Sequence, residues 1–265
     1  MHLKRILLID IGATRTKIGI GNEFNKVHFI TSAASNLLCS TPNDFEKGIL
    51  SLLIKHDLSF DKISEVRIAI HGIVKGNKLI ESTRLEPFID FNFKSILNQK
   101  VSTVINDVLA MLIGCAVFFD LMKEEFRLLS FGTGIGYGYY TNSTFNVCED
   151  TPNNLIIKGE NLHKYLGTTF FDSLTHNSNS LILERMRYLT CRLAKLKEGR
   201  INKLVMLGGN SRFIHKLVAA KMLTVNDLIL ITEINKYEII PLIGLIHYTK
   251  SLDINIIYNS ITMNK

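Results

Sequence analysis

Apolar residues follow a strand-like pattern at the start of the chain and a helical pattern soon afterwards. Three closely spaced apolar runs have the composition of strands: Arg5–Ile9, Thr16–Gly21 and Lys26–Thr31. Their close spacing predicts an antiparallel meander. Over Thr41–Lys55, apolar residues recur at helical spacing behind a threonine, a proline and an acid that suit a helix N-terminus. This segment is therefore predicted to be an amphipathic helix.

The rest of the chain alternates short apolar runs with helical patterns. Further strands are predicted at Val66–Ile70, Ser102–Ile105, Lys203–Leu207 and Leu228–Ile231. Helical patterns cover Val108–Met122, Leu181–Lys197 and Glu238–Tyr248. The polar segment Asn142–Asn179 gives no clear prediction. Strands that alternate with helices in this way indicate an α/β protein.

Two stretches of the chain share one layout. RILLIDIGATRTKIGI begins at Arg5, and RLLSFGTGIGYGYYT begins at Arg127. Each has an apolar run, a turn of Gly and Thr, and a second apolar run, and the repeat aligns Gly12 with Gly132. Chance is the competing explanation for so short a match, and an internal duplication is the simplest account. An internal duplication predicts two similar lobes, with turns 10–17 and 132–136 facing each other across a cleft.

The charge of the chain favours small anionic ligands. Lys plus Arg is 31 against 24 for Asp plus Glu, which gives a net charge of +7 and a pI near 9.2. The basic residues are scattered, and no nucleic-acid-binding motif is present. We therefore expect a solvated basic surface and no nucleic-acid partner.

Cysteine spacing and hydropathy predict a cytoplasmic protein. The cysteines are isolated along the chain: Cys39, Cys115, Cys148 and Cys191. Such spacing predicts neither a disulfide framework nor a zinc site. The most apolar helical segment, Val108–Met122, contains Asp120 and is too short to span a bilayer. The first residues lead into a strand without the layout of a signal peptide, so no membrane association is expected.

The first turn combines backbone and side chains that suit a nucleotide. Backbone N–H groups around Gly12 can surround a phosphate, Thr14 adds a hydroxyl and Lys17 adds a positive charge. Asp10 has the wrong sign for phosphate unless Mg²⁺ lies between them, because Mg²⁺ binds carboxylates and phosphate oxygens together. The turn therefore predicts a phosphate site with Asp10 as the metal ligand. An ordinary β-turn with a solvated acid and lysine is the alternative.

The second turn has alternating glycines between two apolar runs. Gly132, Gly134 and Gly136 cost conformational entropy, which is typical of places where backbone approaches a ligand closely. Together with Thr133 they are predicted to bind nucleotide phosphates. Ser130 stands where the first turn has its acid, so only the first turn would hold the metal. A bulged hairpin is the alternative, and the strand that follows argues against a Rossmann site.

Two further turns carry candidate side chains. Asn106 and Asp107 lie between a strand and a helix. Asp107 is the predicted general base, which would take a proton from a substrate hydroxyl during phosphoryl transfer, and plain helix capping is the alternative. Gly208, Gly209 and Asn210 follow another strand, where a flat Gly-Gly surface can take a purine. A simple turn from strand to helix is the alternative there.

These segments, in this order, resemble the motifs of the ROK family of sugar kinases, within the sugar kinase and actin superfamily of ATPases. DIGATRTK is similar to the family's D-x-G-x-T-x-x-K, and FGTGIGYGYY to its G-T-G-I-G-x-G. INDVLAMLIG is similar to E-N-D-x-x-A-x-x-x-G, whose Asp is the catalytic base. VMLGGN is similar to the adenosine turn. The resemblance spans nearly the whole chain, although short motifs carry most of it.

The resemblance implies an α/β fold of two duplicated ribonuclease-H-like lobes, the actin-like ATPase fold, with an interlobe cleft. Residues 1–107 would form the N-terminal lobe, with the closing helix 238–265 packed back on it. Residues 108–237 would form the C-terminal lobe. The resemblance also implies ATP and Mg²⁺ as cofactors and a homodimer.

The chain departs from the family in its sugar and zinc segments. It lacks the family's zinc-binding C-x-C-G-x-x-x-C, so no zinc is expected. Glu160 and His163 are the nearest counterparts of the family's sugar-holding E-x-G-H, at a different spacing. With Asn106, they are the predicted substrate-binding residues. Arg84 stands where the family often has an Asn in the sugar loop, so the resemblance supports ATP binding better than binding of a glucose-type sugar.

The sequence as a whole predicts an ATP-dependent kinase that phosphorylates a hydroxyl of a small metabolite, foremost a sugar or amino sugar. One alternative is an enzyme similar to type III pantothenate kinases, which share the superfamily fold. Their G-A-D-R segment is absent, and Ser130 stands where their second turn normally has an Asp. The other alternative is a non-catalytic sensor that binds ATP or a sugar.

Overall fold

The chain separates into two compact units. The computed structural model describes residues 4–82, 84–132, 134–148, 156–157, 160–161, 165–166, 170, 179–193, 201, 203–210, 228–231 and 233–257. Unit 1 consists of Met1–Phe119 and Glu238–Ser251, and unit 2 consists of Asp120–Tyr237 and Leu252–Lys265. Each unit is built on one large sheet.

The sheet of unit 1 has five strands. In the order in which they pair, they are β3 (Val27–Ala34), β2 (Arg15–Asn22), β1 (Arg5–Ile11), β4 (Ile63–Ile70) and β7 (Val101–Asn106). The first three form the predicted antiparallel meander, and β4 and β7 run parallel to β1. A small hairpin of β5 (Ile73–Lys75) and β6 (Lys78–Glu81) follows β4. The strand pattern at the start of the chain is thereby confirmed.

Two helices near the start of unit 1, α1 (Ser35–Leu38) and α2 (Pro42–Lys55), follow the meander. Thr41 caps α2 as predicted, because its Oγ1 accepts a hydrogen bond from the Asp44 N–H at 3.1 Å. The apolar face of α2 is buried, as its spacing predicted. Short 3₁₀ turns connect the later strands at Phe60–Lys62, Glu86–Phe88, Phe93–Ser95 and Leu97–Gln99.

Helix α3 (Asp107–Phe118) packs closely against the helix Ile234–His247, which is the last of the described helices, α5. A Cβ on Gly114 would stand 2.0 Å from Ile240 O, and one on Gly244 would stand 1.8 Å from Ala110 O. Only glycine lets two backbones approach so closely. The whole of α3 lies in unit 1, which extends to Phe119, whereas the sequence prediction placed the boundary after Asp107.

The sheet of unit 2 has six strands. In pairing order they are β14 (Leu228–Ile231), β13 (Lys203–Leu207), β8 (Phe126–Phe131), β9 (Ile135–Thr141), β10 (Thr144–Cys148) and β15 (Ile254–Ile257). Strands β8 to β10 form an antiparallel meander, and β13 and β14 run parallel to β8. The remaining described elements of unit 2 are α4 (Asn179–Leu193) and the strand pair β11 (Ile156–Ile157) and β12 (Glu160–Asn161).

Strand β15 belongs to unit 2. It pairs in parallel with β10, at the outer edge of the second meander. Backbone hydrogen bonds therefore hold Ile254–Ile257 in unit 2, although the whole segment 238–265 was expected to pack on the N-terminal lobe. The helical part of that segment, from Glu238, does belong to unit 1.

Apart from β15 at the edge of the second sheet, both sheets have the same strand order and the same strand directions. A three-stranded meander is followed, beside its first strand, by two parallel strands in each unit. This confirms the duplication and the fold class of two ribonuclease-H-like lobes. The cleft between the lobes stays a prediction. No helix in the described parts of the chain is long and apolar enough to cross a membrane.

Candidate active site

The carboxyl ends of three parallel strands in unit 1 meet at one edge of the sheet. The register aligns the last residues of β1, β4 and β7: Ile11, Ile70 and Asn106. In open α/β sheets, ligands bind outside the carboxyl ends of the strands. Asp10, His71 and Asp107 lie at these ends, although they are far apart in the sequence.

Asp10 and Lys17 form a buried ion pair at this edge. They stand opposite each other on β1 and β2, and Lys17 Nζ lies 2.5 Å from Asp10 Oδ2. The side chain of Lys17 is 15% exposed and that of Asp10 is 3% exposed. Burial raises the pKa of Asp10 above its ordinary value. The Lys17 ammonium opposes that rise, and the negative charge of Asp107 adds to it. The predicted metal ligand is thus already paired with a cation of the protein.

Asp10 fits a magnesium ion that keeps most of its water. Among the described residues, Lys17 is the donor that hydrogen-bonds to the Asp10 carboxylate, and the bond is to Oδ2. Oδ1 is thereby left for a further partner. Mg²⁺ is usually held by one or two carboxylates together with waters and phosphate oxygens. Within the described ranges, no three His, Cys, Asp or Glu side chains are grouped to hold a metal by themselves.

Asn106 is the N-cap of α3. Its Oδ1 accepts hydrogen bonds from the N–H groups of Val108 and Leu109, at 2.8 and 3.1 Å. Its Nδ2 donates to Gly72 O at 2.8 Å. These bonds use the amide oxygen and one amide hydrogen inside the protein. The capping role that the sequence left open for the pair Asn106-Asp107 therefore belongs to Asn106.

Asp107 is the first residue of α3 and pairs with His71. Asp107 Oδ2 lies 3.5 Å from His71 Nδ1, and the two side chains are 13% and 26% exposed. Asp107 Oδ1 accepts a hydrogen bond from the Val108 N–H at 3.0 Å. Burial by itself lowers the pKa of His71, but the contact with Asp107 outweighs it, so that the pKa is raised above its ordinary value.

His71 was not among the site residues predicted from the sequence. It follows the buried strand β4 and precedes a glycine, and that position was the available signal. Its importance depends on the pairing of β4 between β1 and β7, which places its side chain between those of two acids in the sheet order. A run of apolar residues does not reveal this order.

Hydrogen bonds from the start of α1 hold the first turn in place. Gly12 N–H donates to Arg15 O at 3.1 Å, and Ser35 Oγ donates to Gly12 O at 2.7 Å. Ser35 N–H donates to Thr14 O at 2.8 Å. A Cβ at Gly12 would lie 3.0 Å from Arg15 O, which is a tight contact, and Gly12 does not have a positive φ. The structure thus brings Gly12 and Thr14 to the edge that carries Asp10 and Lys17.

The second turn is built differently. Gly132 N–H donates to Gly134 O at 2.9 Å, and Gly136 N–H donates to Ser130 Oγ at 3.1 Å. A Cβ at Gly132 would meet one atom of the described residues within 4 Å, Gly134 O at 3.9 Å. The surrounding protein therefore leaves room for a side chain at Gly132. Thr133 lies outside the described residues.

The predicted adenosine turn packs against the second turn. Asn210 N–H donates to Phe131 O, and Asn210 Nδ2 donates to Gly132 O, each at 3.1 Å. Gly208 has a φ of +111°, and a Cβ there would stand 2.3 Å from Phe131 O. Only glycine fits this position. Unit 2 therefore joins Gly208, Gly209 and Asn210 to the Gly132 turn.

The predicted sugar-holding residues are placed only in part. Glu160 lies on β12 in unit 2, where its Oε2 is 3.3 Å from Arg185 Nη1. Arg185 also donates to Tyr165 O at 2.6 Å and lies over the rings of Tyr165 and Phe170. Glu160 thus has a partner within the protein. His163 lies outside the described residues.

Comparisons with known proteins find this architecture in solved structures. No protein-family model matches the chain, and no curated protein matches it. A polyphosphate/ATP-glucomannokinase from Arthrobacter sp. strain KM superposes with a TM-score of 0.67 at 16% identity, covering 92% of this chain and 98% of that one. A ROK family glucokinase from Streptomyces griseus, solved with glucose and AMPPNP, gives 0.60 at 14% identity, with 91% and 97% covered. A ROK family protein from Streptococcus pneumoniae, solved with sucrose, gives 0.64 at 15% identity, with 91% and 96% covered.

This chain has the fold of the ROK-family sugar kinases. The superpositions cover nearly the whole of both chains in each case. They confirm the fold that the four motifs implied. At this identity the likeness concerns the fold, and the activity has to be argued from the residues of this chain.

Proposed function

We propose that this chain is an ATP-dependent kinase that transfers a phosphate to a hydroxyl of a sugar or amino sugar. One observation carries the proposal. Asp107 is a carboxylate at the start of α3 that the helix does not need as a cap, because Asn106 is the N-cap. It lies at the strand ends that also carry the Asp10–Lys17 pair.

Asp107 would act as the general base. It lies in the first turn of α3, and the positive N-terminus of a helix attracts negative charge. The carboxylate accepts the proton of the substrate hydroxyl while the hydroxyl oxygen bonds to the terminal phosphorus of ATP. The bond from that phosphorus to ADP breaks, and ADP leaves. A positioned base of this kind contributes about 10²–10⁴-fold to the rate.

The remaining predicted residues would bind the nucleotide. Asp10 would hold Mg²⁺ through its free oxygen, and the ion, when bound, neutralises phosphate charge. Lys17 and Thr14 carry polar groups that suit phosphate oxygens. The two glycine turns stay proposed phosphate contacts, although the N–H groups of Gly12, Gly132 and Gly136 already donate within the protein. The flat surface of Gly208 and Gly209 suits a purine. The turn bonds of Asn210 support this assignment, since they keep the purine and phosphate segments of unit 2 together.

A sugar is the favoured substrate class. Among the solved structures of this fold, one is described as a glucomannokinase and another as a glucokinase with glucose bound. This supports a sugar over pantothenate. Glu160 and His163 stay the proposed sugar contacts, together with the second amide hydrogen of Asn106.

A substrate panel tests the proposal. Release of ADP from Mg²⁺-ATP would be measured with neutral sugars, amino sugars and pantothenate, and each product identified by mass spectrometry. We expect turnover with at least one sugar or amino sugar. Turnover with pantothenate alone would favour the pantothenate kinase alternative. Binding of ATP by calorimetry without turnover of any compound would favour a sensor.

A further inference from the structure

The dipeptide His71-Gly72 supports both residues at the start of α3. Gly72 O accepts the hydrogen bond from Asn106 Nδ2 at 2.8 Å. His71 Nδ1 lies 3.5 Å from Asp107 Oδ2. One dipeptide thus contacts the cap of α3 through its backbone and the proposed base through a side chain.

The backbone at this dipeptide is tightly constrained. His71 N–H donates to Ile11 O, the end of β1, at 3.0 Å. Gly72 has a φ of +126°, and a Cβ there would stand 2.2 Å from Glu81 O. Because residue 72 has to be glycine and residue 71 is hydrogen-bonded to β1, the imidazole has a fixed point of attachment. Such a backbone is suited to orienting a neighbouring side chain.

The charges around the imidazole favour its pairing with Asp107. The groups that act on His71 are the carboxylates of Asp107 and Asp10 and the guanidinium of Arg84. Asp10 is itself paired with Lys17, whereas Asp107 has no other cation in contact among the described residues. Among the described residues, His71 is therefore the side chain that can pair with Asp107 as a cation when it is protonated.

We propose that His71 is a positioning residue, which holds the Asp107 carboxylate in the orientation that accepts the substrate proton. The inference rests on the proposed role of Asp107 as the general base. Each carboxylate oxygen has two acceptor sites, so Asp107 can contact His71 and the Val108 N–H and still receive a proton. Residues that orient metal ligands typically contribute about 10-fold or more to activity, and we expect an effect of the same order for a residue that orients a base.

A double-mutant cycle tests whether His71 acts through Asp107. His71→Ala is expected to lower kcat about 10-fold while KM for ATP stays unchanged, and His71→Asn is expected to restore part of the loss. In the Asp107→Asn background, His71→Ala should cause no further loss, because there is no base left to orient. His56→Ala, at the exposed end of α2, is the control and should leave kcat unchanged. An equal loss of kcat in both backgrounds would overturn the proposal.

An NMR titration separates this inference from the proposed function. The imidazole of His71 should titrate at higher pH in the natural chain than in Asp107→Asn, because the carboxylate favours the charged ring. An unchanged midpoint would overturn the pairing whatever the chain catalyses. A lower midpoint in Asp107→Asn than in the natural chain would support the pairing. If the natural chain also turned over no sugar, the kinase proposal would be overturned, and with it the catalytic use of the pair.

Discussion

The hairpins that begin the two units have the same backbone plan but different side chains. In the first hairpin, Asp10 on β1 stands opposite Lys17 on β2. In the second, Ser130 on β8 stands opposite Gly136 on β9. A buried ion pair in one copy thus corresponds to a hydroxyl that accepts a backbone hydrogen bond in the other.

The comparison shows which part of a duplicated unit is free to change. Strand order depends on the apolar faces and the backbone hydrogen bonds, and these are alike in both sheets. The residues opposite each other at the turns do not determine that order, so they can differ. One hairpin carries the charged pair that we propose for a metal ion, whereas in the other the N–H groups of Gly132 and Gly136 donate within the turn.

The largest expected effect concerns the junctions between the last parallel strand and the next helix. Asp107 follows β7, and Glu233 follows β14 in the other unit. Asp107→Asn should lower kcat by about 10²-fold or more, because the proton acceptor is lost. Melting temperature should change little, since Asn106 caps the helix. Steady-state kinetics and thermal denaturation measure both quantities.

Glu233→Gln is the matched control for this comparison. Its carboxylate is 66% exposed and pairs only with a neighbouring Lys236 on the surface, among the described residues. Such pairs contribute little, so activity and stability should both be unchanged. Full activity of Asp107→Asn on the substrate would remove Asp107 from the mechanism and make the two junctions equivalent.

The next effect concerns the paired positions within the hairpins. Lys17→Met leaves the Asp10 carboxylate buried without its cation, which should lower the free energy of unfolding by about 3 kcal/mol at pH 7. Ser130→Ala removes one acceptor and should cost about 1 kcal/mol. The Lys17→Met deficit should shrink as pH falls, because protonation of Asp10 removes the unpaired charge. Urea denaturation at two pH values measures this, and equal costs for the two variants would contradict the comparison.

Replacement by alanine should mainly lower stability at the glycine of the first turn and mainly weaken ATP binding at the glycine of the second turn. Gly12→Ala brings a Cβ to 3.0 Å from Arg15 O, so we expect a stability loss of about 1 kcal/mol. Gly132→Ala has room in the fold, and its stability should stay within about 0.5 kcal/mol. If the second turn binds phosphate, the added methyl should weaken ATP binding about 10-fold, or about 1.4 kcal/mol. Calorimetry with ATP measures this, and unchanged affinity would leave Gly132 without a ligand role.

The smallest expected effect concerns how the stability of unit 1 depends on pH. Burial opposes ionisation of Glu65, but hydrogen bonds from Lys4, Ser102 and Arg67 lower its pKa to about 2, from 4.5. A lowered pKa means stability that is present above about pH 4.5 and lost as pH falls towards 2. Glu65→Gln should reduce this acid-dependent loss.

Glu124 is the matched control in unit 2. It is 50% exposed and pairs with Lys203, so Glu124→Gln should leave the acid profile nearly unchanged. Circular dichroism as a function of pH compares the three proteins. An acid profile of Glu65→Gln identical to that of the natural chain would contradict the assigned pKa.

Local patterns in the sequence were sufficient for several elements. The two hairpins, the Thr41 cap of α2 and the strand-to-helix junction at Asp107 depend on residues that are neighbours in the chain. Strand alternation, helix capping and glycine turns are local chemistry, so a single sequence reveals them. The order of the motifs was enough to predict the fold class.

Tertiary structure decided what joins these elements. The partnership of His71 with Asp107 depends on β4 pairing beside β7, and the place of α3 depends on Gly114 meeting Ile240. Strand β15 forms by pairing with β10 at the edge of the second meander. Hydrophobic periodicity records which face of an element is buried but not which distant element covers it, because parallel pairing and helix contacts join residues that are far apart in the chain.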